Sequence, residues 1–372
     1  MKRVGITGQN GFVGSHLYNT LGLFPEEFER VDFKKSFFES ETELNAFVAS
    51  CDVIVHLAAM NRHESEQVIY DTNVGLVQKL VASLRKTDSR AHVLLSSSTQ
   101  EERDNPYGRS KREGREILVN WANDVGGKFT GLIIPNVFGA FGKPYYNSFI
   151  ATFCFQLTHG ETPTIVNDGE VKLIYVQDLV DTIIQDIRSK KGTAELFVQP
   201  TTVKKVSEVL DLLEGYKAKY FDGGEIPHIK DSFEHNLFNT YRTYIDHKTH
   251  YPIKFVQHTD PRGAFVEVIR LGIGGQCSFS TTVPGITRGN HYHTRKIERF
   301  AVIKGKALIQ LRKIGTDEIL DFYLDGIEPA YVDMPIWYTH SIKNIGEEEL
   351  YTIFWINEPF NTEDADTYFE VV

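Results

Sequence analysis

The chain has 372 residues, 41% of them hydrophobic and 24% charged, with a formal net charge of −10. Such a length predicts two domains, since single cores rarely grow beyond about 250–300 residues, and an acidic balance without a basic tract argues against nucleic acid as a partner. No stretch approaches the roughly 18 apolar residues of a membrane span, and three scattered cysteines (Cys51, Cys154, Cys277) make neither a disulfide framework nor a CxxC metal motif, which predicts a cytoplasmic protein.

The opening "MKRVGITG" is a charged start running straight into a strand and predicts no cleaved leader. "RVGITGQNGFVGSHLYNTL" reads as that strand, a glycine-rich turn and an amphipathic helix. Gly8, Gly11 and Gly14 permit a tight turn, close approach of backbone to a pyrophosphate and helix–strand packing, with the helix N-terminus at Phe12 and Val13 facing the phosphates. In the second strand, "ERVDFKK", Asp32 lies within the strand and Lys34 and Lys35 follow it. An acidic strand end suits the ribose hydroxyls of NAD and basic residues suit a 2′-phosphate, so the pattern favours NADPH over NADH.

"DVIVHLAA" (52–59) is an uninterrupted apolar strand suited to the middle of a parallel sheet, and its end brings Leu57 and Ala58 toward the cofactor. "AHVLLSSSTQ" (91–100) is a further strand, ending in hydroxyls where such sheets place their chemistry. In "NPYGRSKREGREILVNWA", Tyr107 and Lys111 stand four apart on one helical face, where a lysine can favour the tyrosinate and make the phenol a usable proton donor.

These segments, with "PNVFG" (135–139) and "LIYVQDLVDTI" (173–183), resemble the extended short-chain dehydrogenase/reductases over about residues 1–245. The resemblance implies a Rossmann-type doubly wound α/β domain and a nicotinamide cofactor. Tyr107 would protonate the substrate oxygen as hydride reaches carbon, and Lys111 would hold the ribose. Ser98, with Ser97 as the alternative, would bind the carbonyl. Many members handle nucleotide sugars, which makes Asn136, Asn147 and Lys172 candidate substrate contacts.

Residues 203–221 read as an amphipathic helix closing the first domain, and 232–252, aromatic and polar without a clean period, as a connecting arm. From residue 253 to 372 the pattern changes to short alternating strands with glycine turns, the mark of an all-β barrel or sandwich. In "PGITRGNHYHTRKIERFAVIKG", His291 and His293 project from the same side of an extended strand, as two metal ligands would. The spacing Gly285, His291, His293, Glu298, Gly305 resembles the first cupin motif, and "MPIWYTHSIKN" the second, with Trp337 where a glycine is usual. The resemblance implies one divalent ion held by His291, His293, Glu298 and His340. That donor set suits zinc first, with manganese, iron or nickel as alternatives.

"HTDPRGAFVEV" followed by "QCSFSTTVPGITRGNHYH" also resembles the nucleotide-sugar 3,5-epimerases. That resemblance implies roles for Arg262, Glu267 and Arg288 near the nucleotide, for His291 as the base, and for Tyr351 as the opposing acid. A ligated imidazole cannot readily act as a base, so His291 carries two competing roles, the metal having the better claim.

The order of reductase then cupin, with "DNPYGRSK", "YNSFIATFC", "PGITRGNHYH" and "DTYFEVV", is similar to CapF/WbjC-type bifunctional enzymes of capsule and O-antigen precursor synthesis. It implies C3 epimerisation of a UDP-2-acetamido-2,6-dideoxy-4-keto-hexose by the cupin and NADPH reduction at C4 by the first domain. The product would be UDP-N-acetyl-6-deoxy-L-talosamine, a precursor of UDP-N-acetyl-L-fucosamine, and the assembly a homodimer. Two other readings stay open: a 4-keto-sugar reductase whose cupin serves dimerisation or regulation, and a nucleotide-sugar-sensing module.

Overall fold

In the computed structural model, the structure describes residues 1–189, 191–260, 263–266, 268–269, 274–358 and 361–372, with 257–260 and 263–266 described by backbone alone. The chain divides into two units, residues 1–152 with 166–206, and residues 153–165 with 207–372.

In the first unit β1 (Lys2–Thr7), α1 (Phe12–Leu21), β2 (Phe28–Val31), α2 (Glu41–Ser50), β3 (Val53–His56), α3 (Glu66–Lys86), β4 (His92–Ser98), α4 (Pro106–Val125) and β5 (Phe129–Ile134) alternate along the chain. They are followed by β6 (Asn136–Phe138), α5 (Phe149–Thr158), which runs past the division, β7 (Glu170–Tyr175), α6 (Val176–Ser189), β8 (Thr193–Phe197) and β9 (Thr202–Lys205). Six strands form a parallel sheet in the order β2-β1-β3-β4-β5-β8, and β6-β7-β9 form a smaller mixed sheet in which β9 runs antiparallel to β7.

Strand alternation sorts the apolar runs onto two faces. Ile54, Val93 and Leu95 pack with Leu80, Leu118 and Trp121 of α3 and α4. Val53, Val55 and Leu94 pack with Leu17, Leu21, Leu179 and Ile183 of α1 and α6. Burial on both faces is why these strands lack a polar side in the sequence. β1 lies between β2 and β3, so the strand order reverses there, and ligands of such sheets bind at that crevice beyond the strands' carboxyl ends. β3 and β4 are shorter than their apolar runs: the chain turns after His56, and a 3₁₀ turn, Thr99–Glu102, follows Ser98.

The second unit holds α7 (Val206–Tyr216), α8 (Ser232–Arg242) and α9 (His247–His250), then β10 (Ile253–Lys254), β11 (Gln257–Asp260), β12 (Gly263–Val266), β13 (Gln276–Thr282), β14 (Thr287–Tyr292) and β15 (Glu298–Lys304). β16 (Lys306–Lys313), β17 (Ile319–Asp325), β18 (Ala330–Met334), β19 (Tyr338–Asn344), β20 (Leu350–Ile356) and β21 (Tyr368–Phe369) complete it. Two five-stranded sheets, β10-β18-β15-β20-β13 and β17-β16-β19-β14-β21, have antiparallel ladders, and β11 pairs with β12. Ala301, Val302 and Val332 from one sheet share a core with Ile309, Leu311 and Ile342 from the other.

Two expectations change. The helix expected over 203–221 starts at Val206, runs as α7 to Tyr216 and continues as a π-helical turn over Lys217–Phe221, and from Ser207 on the chain belongs to the β-rich unit rather than to a domain ending near residue 245. The expected arm folds as α8 and α9. α8 buries Phe233, Glu234, Leu237, Phe238, Asn239, Thr240, Tyr241 and Arg242, so no single apolar stripe marks it. Two of its buried polar side chains bond within the protein: Asn239 Nδ2 donates to the Arg295 carbonyl at 2.8 Å, and Arg242 to the Met334 carbonyl at 2.7 Å.

Candidate active site and metal centre

The glycine loop follows β1. Gly8 has φ +81, and a Cβ on Gly14 would lie 2.1 Å from the Gly8 carbonyl oxygen, so the first turn of α1 packs directly on the loop. Gly11 N–H donates to the Gly8 carbonyl at 2.9 Å, and no side chain caps α1 at its Gly11 N-cap. Backbone N–H groups at Phe12 and Val13 therefore stand at a helix N-terminus suited to phosphate. The loop after β3 lies alongside: Leu57 N–H donates to the Thr7 carbonyl at 3.0 Å and Ala58 N–H to Thr7 Oγ1 at 3.4 Å. This cradle, with no room for a side chain at Gly14, fits a dinucleotide.

Asp32 stands one residue beyond the end of β2, not within it, and is exposed; Tyr18 Oη donates to its carboxylate at 2.7 Å. Lys34 and Lys35 are exposed in the turn that follows.

Asn105 and Pro106 start α4: Asn105 Oδ1 accepts from Gly108 N–H at 2.8 Å, and Pro106 supplies a helical φ at the first turn. That start sets Tyr107 and Lys111 on one face, with Lys111 Nζ 5.7 Å from the Tyr107 ring centre. Lys111 Nζ donates to the Ser96 carbonyl at 2.8 Å, and burial pulls its pKa down to about 8 against the pull of Glu101. Burial pushes the Tyr107 phenol up to about 12, with Tyr146 adding to the rise. The lysine thus does not make Tyr107 acidic here; the phenol is held protonated, the form a proton donor needs.

The two serines separate. Ser97 is buried and donates to Glu101, whose carboxylate is gripped by Arg115 at 2.8 Å. Ser98, one step along the strand and so on the other face, is half-buried and accepts from Gln100 N–H at 3.1 Å, leaving its own proton to donate. Asn136 starts β6 and donates to the Lys172 carbonyl on β7 at 3.5 Å; both side chains are exposed, as is Asn147.

Sequence reasoning missed Asn73. This buried α3 residue donates to the Met60 carbonyl at 3.0 Å and to Ser110 Oγ at 3.1 Å, and accepts from Met60 N–H at 2.7 Å. It ties the loop after β3 to the helix of Tyr107, and its only sequence signal is an asparagine inside an amphipathic helix.

In the second unit, His291 on β14, His293 just past its end and His340 on β19 bring three imidazoles to Glu298 at the start of β15. One ligand atom from each of His291, His293, Glu298 and His340 lies within 4.8 Å of the others. His291 Nε2 is 3.2 Å from His340 Nε2; Glu298 Oε2 is 2.9 Å from His293 Nε2 and 3.2 Å from His340 Nε2. A tetrahedral ion with bonds of about 2.0–2.2 Å places neighbouring ligand atoms about 3.4 Å apart, so the four donors fit such an ion. Burial, with His340 and His293 adjacent, holds His291 down to about 4, the neutral form a ligand requires. Burial opposes the charge of Glu298, but His293 and His340 outweigh it and keep the carboxyl well below its ordinary range.

The Trp337 departure has a structural counterpart. Trp337 keeps the left-handed backbone of a glycine, φ +60, its N–H donates to the His293 carbonyl at 2.8 Å, and its ring stacks on Tyr292 at 5.5 Å.

Arg288 is exposed and folds back, donating to Thr282 Oγ1 and to the Thr281 carbonyl, each at 3.0 Å. Tyr351 does not oppose His291. The β15–β20 ladder pairs Glu298 with Ile356 and Lys304 with Tyr351, which puts Tyr351 at the far end of β15 with Lys304 over its ring. Six residues of strand span about 20 Å, too far for an acid acting at the histidine cluster. Arg262 and Glu267 lie outside the described residues.

Among the described residues, no helix is long and apolar enough to cross a membrane. Residues 4–195 match the NAD dependent epimerase/dehydratase family, and residues 258–368 match the polysaccharide biosynthesis C-terminal domain. The chain is 33% identical over 373 residues to the UDP-2-acetamido-2,6-beta-L-arabino-hexul-4-ose reductase of Pseudomonas aeruginosa, covering 98% of each protein. It is 27% identical over 123 residues to the spore coat polysaccharide biosynthesis protein SpsL of Bacillus subtilis, covering 30% of this chain and 82% of SpsL. The crystal structure of the capsular polysaccharide assembling protein CapF from Staphylococcus aureus matches with a TM-score of 0.62 and 34% identity, over 100% of both chains. The chain is thus an enzyme of the NAD-dependent epimerase/dehydratase family, in the form that carries a polysaccharide biosynthesis C-terminal domain.

Proposed function

We propose that this enzyme acts twice on one UDP-2-acetamido-2,6-dideoxy-4-keto-hexose. The β-rich unit, read as a cupin, inverts C3 by removing and returning a proton, which the adjacent C4 ketone acidifies by delocalising the electron pair onto oxygen. The parallel-sheet unit then transfers hydride from NADPH to C4. Tyr107 gives its phenolic proton to the carbonyl oxygen, Ser98 binds that oxygen, and Lys111 binds the ribose and neutralises the tyrosinate that forms. The product is UDP-N-acetyl-6-deoxy-L-talosamine, on the way to UDP-N-acetyl-L-fucosamine for capsule or O-antigen.

One observation carries the reading. A single chain holds a glycine loop suited to phosphate and the Tyr107–Lys111 pair in one unit and four convergent ligands in the other. His291, His293, Glu298 and His340 would hold one divalent ion, zinc by its donor set, whose chemistry is to polarise a nearby oxygen or to brace the two sheets. With His291 in that set, the proton-abstracting base is a different group. Lys34 and Lys35 support NADPH by offering charge where a 2′-phosphate would lie, and the assembly in this reading is a homodimer.

The experiment separates the two steps. Replacing His291 by Ala abolishes deuterium uptake at C3 while NADPH oxidation on a pre-epimerised ketone persists; loss of both activities would mean that the cluster only holds the fold. Equal turnover with NADH would remove the NADPH preference without touching the rest.

A further inference from the structure

Residues 364–372 bind the framework of the histidine cluster at five places. Asp366 is 4% exposed. Its Oδ1 accepts from Thr294 N–H at 3.0 Å and from Thr294 Oγ1 at 2.6 Å, and its Oδ2 accepts from the N–H groups of Arg295 and Lys296, each at 3.0 Å. One buried carboxylate thus gathers three successive amides of the loop that joins His293 to Glu298. The Asp366 carbonyl accepts from His293 Nδ1, and because a carbonyl cannot donate, Nδ1 carries the proton and the ring turns Nε2 to Glu298.

The other contacts flank the remaining histidines. Glu370 N–H donates to the carbonyl of Asn290, the residue before His291, at 2.9 Å. Asn290 has φ +58 and sits where the β14–β19 register shifts. Thr339, the residue before His340, donates its hydroxyl to the Glu370 carbonyl. Tyr368 and Phe369 pair with Tyr292 and His291 as β21. Asp366 is itself in the left-handed region at φ +39, a conformation that persists where surrounding bonds over-determine it.

We infer that segment 364–372 is a strap that holds His291, His293, Glu298 and His340 in their ligating arrangement, with Asp366 as its principal positioning residue. The strap rests on the metal reading above, and it reaches beyond the ligands to the groups that aim them. Partners that orient a ligating histidine through its second nitrogen typically change metal affinity 10–100-fold when removed.

The test is zinc affinity of the full chain, prepared metal-free and titrated in competition with a chelating dye, for the parent and Asp366→Asn. The asparagine keeps the shape but turns an N–H₂ toward the Arg295 and Lys296 amides. The parent takes up one zinc per chain and the variant binds about 10–100-fold more weakly. In the metal-free proteins the His293 Nδ1–H exchanges slowly in the parent and rapidly in the variant, by NMR. Unchanged zinc affinity in the folded variant overturns the proposal. A parent that binds no zinc sinks the metal reading alone, and the strap is then decided by the His293 proton, slow exchange in both proteins overturning it. If Asp366→Asn does not fold, Thr294→Val, which removes one hydroxyl bond, weakens zinc binding about three- to tenfold; equal affinity there overturns the proposal as well.

Discussion

Ser97 and Ser98 are neighbours of the same chemistry with different jobs, and strand alternation is what separates them. Ser97 donates to Glu101 inside an Arg115 ion pair, whereas Ser98 keeps its proton free at the carboxyl end of β4. Ser98→Ala therefore lowers the kcat of ketone reduction by about 10²-fold, the scale of losing one donor to a developing oxyanion. Ser97→Ala leaves kcat in place and lowers unfolding free energy by about 1 kcal/mol, since Glu101 retains Arg115. Steady-state kinetics and urea unfolding on the two variants check this, and equal kinetic losses would contradict it. In the proposed reduction, Lys111 sets the alkaline side of the rate profile. Its pKa lies near 8, below the ordinary lysine value, and Tyr107 stays protonated to about 12. As pH rises through about 8 the ammonium loses its proton while the phenol keeps its own. Reduction accordingly declines with a limb near 8; a profile flat to pH 10 would show that the lysine charge plays no part.

At the scale of elements, the glycine loop, the Tyr107 helix and the histidine strand were legible because each depends on local geometry: a turn that excludes a side chain, a four-residue helical spacing, a two-residue strand spacing. α8 was not legible, since its burial on nearly every side leaves no stripe and its buried polar residues find partners more than 50 residues away, as Asn239 does at Arg295. Asp333 is hidden for the same reason. It is buried with Arg299 at 2.8 Å, and that guanidinium lies 3.8 Å from the Tyr331 ring centre, an ion pair that only the folded β15–β18 ladder assembles. Asp366 took part in a sequence resemblance, but its grip on residues 294–296 needs the folded chain. Trp337 illustrates a competition at one turn. Its left-handed backbone costs on the order of 1–3 kcal/mol, yet its ring is 3% exposed and stacks on Tyr292. Removing a buried tryptophan costs roughly 3–5 kcal/mol, so packing wins. Trp337→Gly lowers unfolding free energy by about 1–3 kcal/mol, read from denaturant midpoints, and a more stable variant would show that strain dominates.

At the scale of the whole molecule, the proposed function puts two chemistries that need the same ketone on one chain. The carbonyl first acidifies the neighbouring C–H and then accepts hydride, so the order is fixed: once C4 is an alcohol, C3 can no longer exchange. Each unit carries its own candidate site, the first at parallel strand ends and the second on two antiparallel sheets that share a core. The most direct measurement is NMR and mass analysis of the UDP-4-keto sugar incubated in D₂O with metal-loaded protein, first without NADPH and then with it. Without NADPH the sugar gains one deuterium at C3 and keeps its ketone; adding NADPH consumes one equivalent per sugar and yields the 6-deoxy-talo product with deuterium retained. Reduction at C4 with no deuterium at C3 would contradict a bifunctional enzyme and leave a reductase alone.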